Sequence, residues 1–369
     1  MSLSRISGSL VAAVVGDCIG ALFEGSSCVE LASVLGEVEK IESAWKKKKK
    51  SDNKFEGKKP LKSEVPMLTY TDDTAMARCI AASIIHHNGL DDKDLARRFS
   101  EEYDRQPHRG YGGSVINVLK ALKDPNLKDI FQPARQQFHG SGSYGNGGAM
   151  RIAPIGLFCL NKDFSVLKDL TTRATQLTHT HPEAVVGAIL QSHSVQLALS
   201  LDNTKPLDTD HFLNTLHESL NPIESEFFQR CEKNADEKET EGERKFPYST
   251  KLEIIRDFLR RDVGTDEVDE KLGRDISALG SVPTAVYCFL KGSQKSVPGI
   301  EEKTPVEQAI LYAISLGGDT DTIATMAGAV AGAFYGLDLI PESWQDSCEG
   351  VTDAKKFAEQ IWQLVQSTS

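Results

Sequence analysis

Apolar residues recur at three-to-four spacing along 10–23, 75–86, 95–103, 114–122, 165–177, 182–201, 305–316 and 323–335, the period of a helix that hides one face. Alternation of apolar and polar residues, the mark of a half-buried strand, is nearly absent. Several of these stretches begin at Thr, Asp, Ser or Pro, which suit a first helical turn. The pattern predicts an all-α chain. A length of 369 residues is enough for a large core and allows one big domain or two ordinary ones. The motifs described below lie near both ends, which favours a single domain over 1–369 built from distant segments.

Two stretches break the pattern. Residues 45–62 hold Lys46 to Lys50 followed by Ser, Asp, Asn, Gly and more Lys, a composition that cannot bury itself and predicts a lysine-rich surface loop. A localisation signal or nucleic-acid patch is the alternative for such a run. Residues 231–245 are nearly all charged and read as a link between two helices. The apolar stretch 10–15 is stopped by Gly16-Asp17 and reads as a buried helix, not a signal peptide. No segment approaches an uninterrupted apolar span of about 20 residues, so no transmembrane helix is expected.

Charge narrows the chemistry. A formal net charge of -11 argues against a general nucleic-acid surface, which needs clustered cations. An acidic protein that handles phosphates must bring local positive charge, through metal ions or helix N-termini. The seven Cys are scattered without a CxxC pair, which suggests neither a zinc knuckle nor a disulfide framework and fits a reducing compartment.

Two strings share one formula: Thr71-Asp72-Asp73-Thr74 and Asp319-Thr320-Asp321-Thr322, each just before an apolar helix. Either alone fits an N-cap. Capping needs one oxygen, however, and adjacent carboxylates repel unless a cation or proton intervenes. Magnesium takes oxygen ligands and keeps waters, so two such strings could hold two ions. Gly317-Gly318 precedes the second string, where glycine permits close approach of backbone or ligand, or merely tight packing.

Residues 140–148 contain five Gly in nine positions and lead to Ala149-Met150-Arg151. Their backbone amides are expected at a helix start, where anions bind, although a flexible loop has the same composition. Arg109-Gly110-Tyr111-Gly112-Gly113-Ser114 repeats the pattern, and two such loops would suit a pyrophosphate. Neither matches the dinucleotide fingerprint after a strand. Asp17, inside an apolar helix, must accept hydrogen bonds or support a metal site. Glu24 follows where that helix ends, and alone would be a surface residue.

Together the strings 70–76, 142–151 and 315–322 resemble the ADP-ribosylglycohydrolase family, in its serine-specific ADP-ribosylhydrolase branch, over nearly the whole chain. The resemblance implies a compact multi-helix orthogonal bundle with a dinuclear metal site. It implies two Mg2+, replaceable by Mn2+: one held by Thr71, Asp72, Asp73 and Asp321, the other by Asp319, Asp321 and Thr322. Glu24 matches the acidic residue of a mobile flap and is implied as the catalytic acid/base. Gly142, Ser143, Tyr144, Gly145 and Asn146 match the diphosphate and ribose loop, with Gly110, Gly112, Gly113 and Asp72 beside it. Phe138 and His179 match positions bordering the adenosine; from sequence alone His179 reads equally as a core histidine.

The implied reaction is hydrolysis of the ribose C1''–oxygen bond of ADP-ribose on protein serines, on poly(ADP-ribose) and on O-acetyl-ADP-ribose, with ADP-ribose as product. The implied setting is DNA damage repair in nucleus and cytoplasm, with the mitochondrial matrix as a further compartment. The expected protein is a monomer without membrane or sequence-specific nucleic-acid contacts. Two rivals carry the same strings: a metal-dependent phosphohydrolase of nucleotide pyrophosphates, and a silent ADP-ribose reader.

Overall fold

A computed structural model of the chain describes residues 2–52, 67–228, 246–295 and 297–367. In chain order its helices are α1 (Leu3–Gly20), α2 (Leu31–Asp52), α3 (Asp72–His87), α4 (Asp92–Arg105), α5 (Gly113–Ala121), α6 (Gln132–Arg135), α7 (Ala153–Phe158), α8 (Phe164–Gln176) and α9 (Pro182–Ser200). They continue with α10 (Thr209–Phe228), α11 (Pro247–Phe258), α12 (Thr265–Lys271), α13 (Ala278–Ser293), α14 (Pro305–Ser315), α15 (Thr320–Tyr335), α16 (Glu342–Ser347) and α17 (Val351–Ser367). The described residues form no strand; pairing is limited to the isolated bridges Leu68–Cys348 and Gly145–Ser277. The all-α expectation holds.

The centre is made by α1, α9, α13, α14 and α15. Helix α9 is buried from Ala184 to Leu199, which explains why its apolar residues show no clean stripe. Helix α1 is long and apolar enough to cross a membrane by composition, yet 83% of that window is buried inside the protein, so it is a core helix.

The pairing of α1 with α15 positions the site. Gly8, Ala12, Gly16 and Gly20 recur every fourth residue on α1, as do Ala324, Gly328, Gly332 and Gly336 along and after α15. A Cβ on Gly16 would lie 2.3 Å from the Ala324 carbonyl oxygen, one on Gly332 2.1 Å from that of Gly8. One on Gly20 would lie 2.5 Å from the Asp321 Cα. The helices are therefore antiparallel with touching backbones, a distance only side-chain-free positions permit. The C-terminal end of α1 is set against the N-terminal end of α15.

The N-terminal end of α3 is fastened to the same place. Buried Asp17 accepts hydrogen bonds from the Thr71 amide at 2.9 Å, the Thr74 amide at 3.1 Å and the Thr74 hydroxyl at 2.5 Å. The burial cost of its carboxylate is offset by capping a helix from outside.

The lysine-rich stretch departs from expectation. Residues 45–52 are the last turns of α2, not loop; 53–62 lie outside the described residues, as do 231–245. Lysine is a good helix former, and cations suit a helix C-terminus. Packing adds an anchor: Trp45 Nε1 donates to Asp346 at 2.8 Å, and Lys49 crosses the Trp45 ring at 4.1 Å to pair with Glu342 at 2.7 Å.

Candidate active site

Two helix starts and one turn converge. Carboxylate oxygens of Glu24, Asp319 and Asp321 lie within 4.8 Å of one another, an acidic group that could bind a metal. Thr322 Oγ1 donates to Asp73 Oδ1 at 3.3 Å, which ties the two acidic strings together. Asn146 Nδ2 donates to Asp319 Oδ2 at 2.6 Å and brings the glycine-rich loop against the second string. Glu24 is held there by its neighbours: the Gly25 amide donates to the Gly318 carbonyl at 3.0 Å and the Gly318 amide to that of Ser26 at 2.9 Å. Gly317 and Gly318 both have positive φ, and a Cβ on Gly318 would lie 2.1 Å from the Arg274 carbonyl oxygen, so backbone packing already demands glycine.

The capping reading is right for one residue. Thr71 is the N-cap of α3, its hydroxyl accepting the Asp73 amide at 3.3 Å. Asp319, at the N-cap of α15, makes no capping bond, and Asp73 Oδ2 is buried without a partner. Among the described residues no Lys or Arg is ion-paired with Glu24, Asp72, Asp73, Asp319 or Asp321. Burial raises all five carboxyls above their ordinary values, and mutual repulsion adds to it for all but Asp319, where Asp275 does so. Asp72 is pushed up to about 7 by burial and then Asp17, and Asp321 to about 10 by burial and then Asp319. Such a set is costly alone and suited to hard divalent cations.

The glycine loops differ from each other. Gly112 caps α5, and Cβ atoms on Gly112 or Gly113 would meet nothing within 4 Å, so this helix start is open as expected. Gly110, at φ +92°, would place a Cβ 3.6 Å from Asp72 Oδ1. Residues 140–148 do not run straight into a helix: a 3-10 turn, Asn146–Gly148, comes first and α7 starts only at Ala153. Gly142, Gly147 and Gly148 are needed for packing, since Cβ atoms there would lie 2.1 Å from Thr180 Oγ1, 2.7 Å from the His179 ring and 2.4 Å from Thr175. Ser143 Oγ accepts the Gly145 amide at 3.3 Å.

His179 lies under this loop, its Nδ1 2.7 Å from Thr178 Oγ1, and burial pushes its pKa down to about 3. It supports the loop as a neutral ring. Phe138 and Tyr144 stand open to solvent with ring centroids 6.1 Å apart, Phe138 at φ +49°, a left-handed conformation an aromatic residue rarely adopts.

Three features escaped sequence reading. Ile276 is 70% exposed beside the loop, its carbonyl accepting the Asn146 amide at 3.0 Å; an isolated isoleucine in a polar turn gives no signal. Arg151 is fully buried, donating to Thr178 Oγ1 at 2.6 Å and stacking on Phe99 at 4.5 Å. Arg109 donates through both terminal nitrogens to Glu349 at 2.7 and 2.8 Å, a partner 240 positions away that nothing local announces.

Comparison with known proteins agrees over the full length. The ADP-ribosylglycohydrolase family model matches residues 2–369. The chain is 41% identical over 372 residues to mouse (Mus musculus) ADP-ribosylhydrolase ARH3, covering 100% of this chain and 94% of that protein. It is 40% identical over 371 residues to the human (Homo sapiens) ADP-ribosylhydrolase ARH3, covering 100% and 95%. A solved chain described as an ADP-ribosylglycohydrolase-related protein complex superposes with a TM-score of 0.61 at 20% identity over 98% of both chains, which shows the fold alone.

Proposed function

The chain belongs to the ADP-ribosylglycohydrolase family, and from that premise we propose that it is a Mg2+-dependent hydrolase releasing ADP-ribose from serine side chains, with poly(ADP-ribose) and O-acetyl-ADP-ribose as further substrates. The single observation that carries this is the convergence of Glu24, Asp319 and Asp321 within 4.8 Å beside Asp73 and Asn146, residues drawn from distant parts of the chain.

The donor set suits two hard cations. Thr71, Asp72, Asp73 and Asp321 would hold one, and Asp319, Asp321 and Thr322 the other. The unpartnered Asp73 Oδ2 and the uncompensated charge favour cations here over a purely structural cluster. Bound Mg2+ supplies polarisation of the ribose hydroxyls and of a water. Every other part falls to the chain itself. Glu24, whose carboxyl is held above its ordinary value by burial and by Asp319, retains or passes a proton between the attacking water and the serine Oγ that leaves. The amides at Gly112 and Gly113 would serve the diphosphate, with those of Ser143 and Tyr144, since the Gly142, Gly145 and Asn146 amides of the same loop donate to Gln137, Ser143 and Ile276. Phe138 and Tyr144 offer their rings to the adenine.

Incubating a serine-ADP-ribosylated peptide with the protein, with and without Mg2+, tests the reading. Intact ADP-ribose released only with Mg2+ is expected. AMP as product would identify a pyrophosphate hydrolase, and binding without turnover a reader.

A further inference from the structure

Asp72 is expected at the centre of the site, yet its position is set by a cluster of residues away from it. Its amide donates to the Arg109 carbonyl at 2.7 Å. The Arg109 side chain, 8% exposed, makes a two-pronged contact with Glu349, donates to the Tyr70 carbonyl at 2.9 Å and to Gln106 Oε1 at 2.6 Å, and lies over the Tyr70 ring at 3.9 Å from its centroid. Glu349 is fastened in turn: its amide donates to the Leu68 carbonyl at 2.8 Å, while the Leu68 amide donates to Ser347 at 2.8 Å. Three segments distant in sequence, 68–72, 106–110 and 347–349, thus meet at one guanidinium.

The guanidinium is fixed in orientation, because the two terminal nitrogens of its planar fork make parallel bonds to Glu349 while Nε is committed to Gln106. What the fork fixes is the stretch between Arg109 and Gly110. That stretch carries both the carbonyl under Asp72 and the glycine whose missing Cβ leaves 3.6 Å to Asp72 Oδ1. A shift of the fork therefore moves an acidic ligand and the start of the open α5 loop together.

We propose that Arg109 and Glu349 form a positioning pair that sets Asp72 and the 110–113 loop for cation and ADP-ribose binding, without touching either ligand. This rests on the functional reading above. Outer partners that orient metal ligands commonly change affinity by about 10- to 100-fold when removed, whereas a pair that only holds the fold together would change melting temperature alone.

The test is calorimetric titration of the full-length protein, below its unfolding temperature, first with Mn2+ alone and then with ADP-ribose in excess Mg2+. Arg109→Lys and Glu349→Gln should each weaken both affinities by about tenfold or more with an unchanged far-UV CD spectrum. The double variant should lose no more than the worse single one, since the two act as a unit. Native affinities in either folded variant, or strictly additive losses, overturn the pair. Should Arg109→Lys fail to fold, Glu349→Gln decides, because that side chain is 34% exposed and keeps its shape. Failure of the unsubstituted protein to bind either probe would overturn the functional reading instead.

Discussion

Thr322 and Asp73, 249 positions apart, are joined by a hydrogen bond of 3.3 Å between hydroxyl and carboxylate. The bond uses one oxygen of Asp73 and leaves the other buried and unpartnered. Such a carboxylate is costly to the fold unless a cation or a proton neutralises it.

Asp73→Asn should therefore raise the melting temperature of the chelator-treated protein and abolish the further rise that Mg2+ produces. Saturation at about a hundredfold above Kd contributes about 2.7 kcal/mol to the unsubstituted protein. Scanning calorimetry with EDTA and with Mg2+ reads both quantities. An equal Mg2+ effect in the two proteins would show that Asp73 only anchors its helix.

Glu24→Gln should leave Mg2+-induced stabilisation in place and lower kcat by about 10²- to 10⁴-fold, the usual contribution of a positioned acid or base. Glutamine keeps the shape of the side chain, and the backbone beside it is held by the Gly25–Gly318 contact. Single-turnover release of ADP-ribose measures it, and a loss smaller than threefold removes Glu24 from the chemistry.

The contact between α1 and α15 predicts a size limit. Gly16→Ala would place a methyl 2.3 Å from the Ala324 carbonyl oxygen, and the helices must part to admit it. Overpacking of this kind costs about 1–3 kcal/mol. Urea unfolding should show that loss, and activity should fall with it because the same helix pair sets Asp321 beside the Glu24 turn. Gly36→Ala, inside α2 where a Cβ meets nothing within 4 Å, should leave activity unchanged and raise stability by about 0.4–1 kcal/mol.

Much of this was legible from residue order, and the failures have physical causes. The eight stretches of helical period are helices, because each buries one face or lies wholly within the core, except that the first ends at Gly20 and 21–25 form the turn that carries Glu24. Helices α10 and α11 are legible only as the two helices that 231–245 links, and α13 and α17 carry no expected bounds; in α10 and α13 an internal proline, Pro222 and Pro283, interrupts the helical pattern. The end of helix α2 is hidden by its lysines, because the partners that anchor it, Asp346 for Trp45 and Glu342 for Lys49, lie near the other end of the chain. The acidic strings were found because adjacent carboxylates make little sense as caps alone. Ile276 and the Arg109–Glu349 contact were not, since their meaning exists only across long separations.

Acid sensitivity follows from buried histidine. His193 is buried between Gln196 and Ser219 at 3.3 and 3.1 Å, and burial lowers its pKa to about 4 from an ordinary 6.5. Between those values the unfolded chain binds a proton that the folded protein does not, so stability rises with pH across this window and is lost as pH falls through it. The slope approaches about 1.4 kcal/mol per pH unit for one such group. Denaturant unfolding of His193→Gln should show a shallower acid limb between pH 6.5 and about 4. An unchanged limb would place the proton uptake elsewhere.

Phe138 separates binding from stability. Its backbone is left-handed at φ +49° and its ring is 49% exposed, so the fold gains little from the aromatic and carries a strain of about 1–2 kcal/mol. Asparagine tolerates this conformation far better. Phe138→Asn should thus leave stability unchanged or raise it, while ADP-ribose affinity falls by about tenfold or more, since ring-to-base stacking contributes about 1–3 kcal/mol. Tyr144→Ala should weaken binding to a similar degree. Unfolding curves and calorimetric titration with ADP-ribose measure the two effects independently. If Phe138→Asn destabilises the protein and binds ADP-ribose normally, the ring serves packing, and the strained turn needs another explanation.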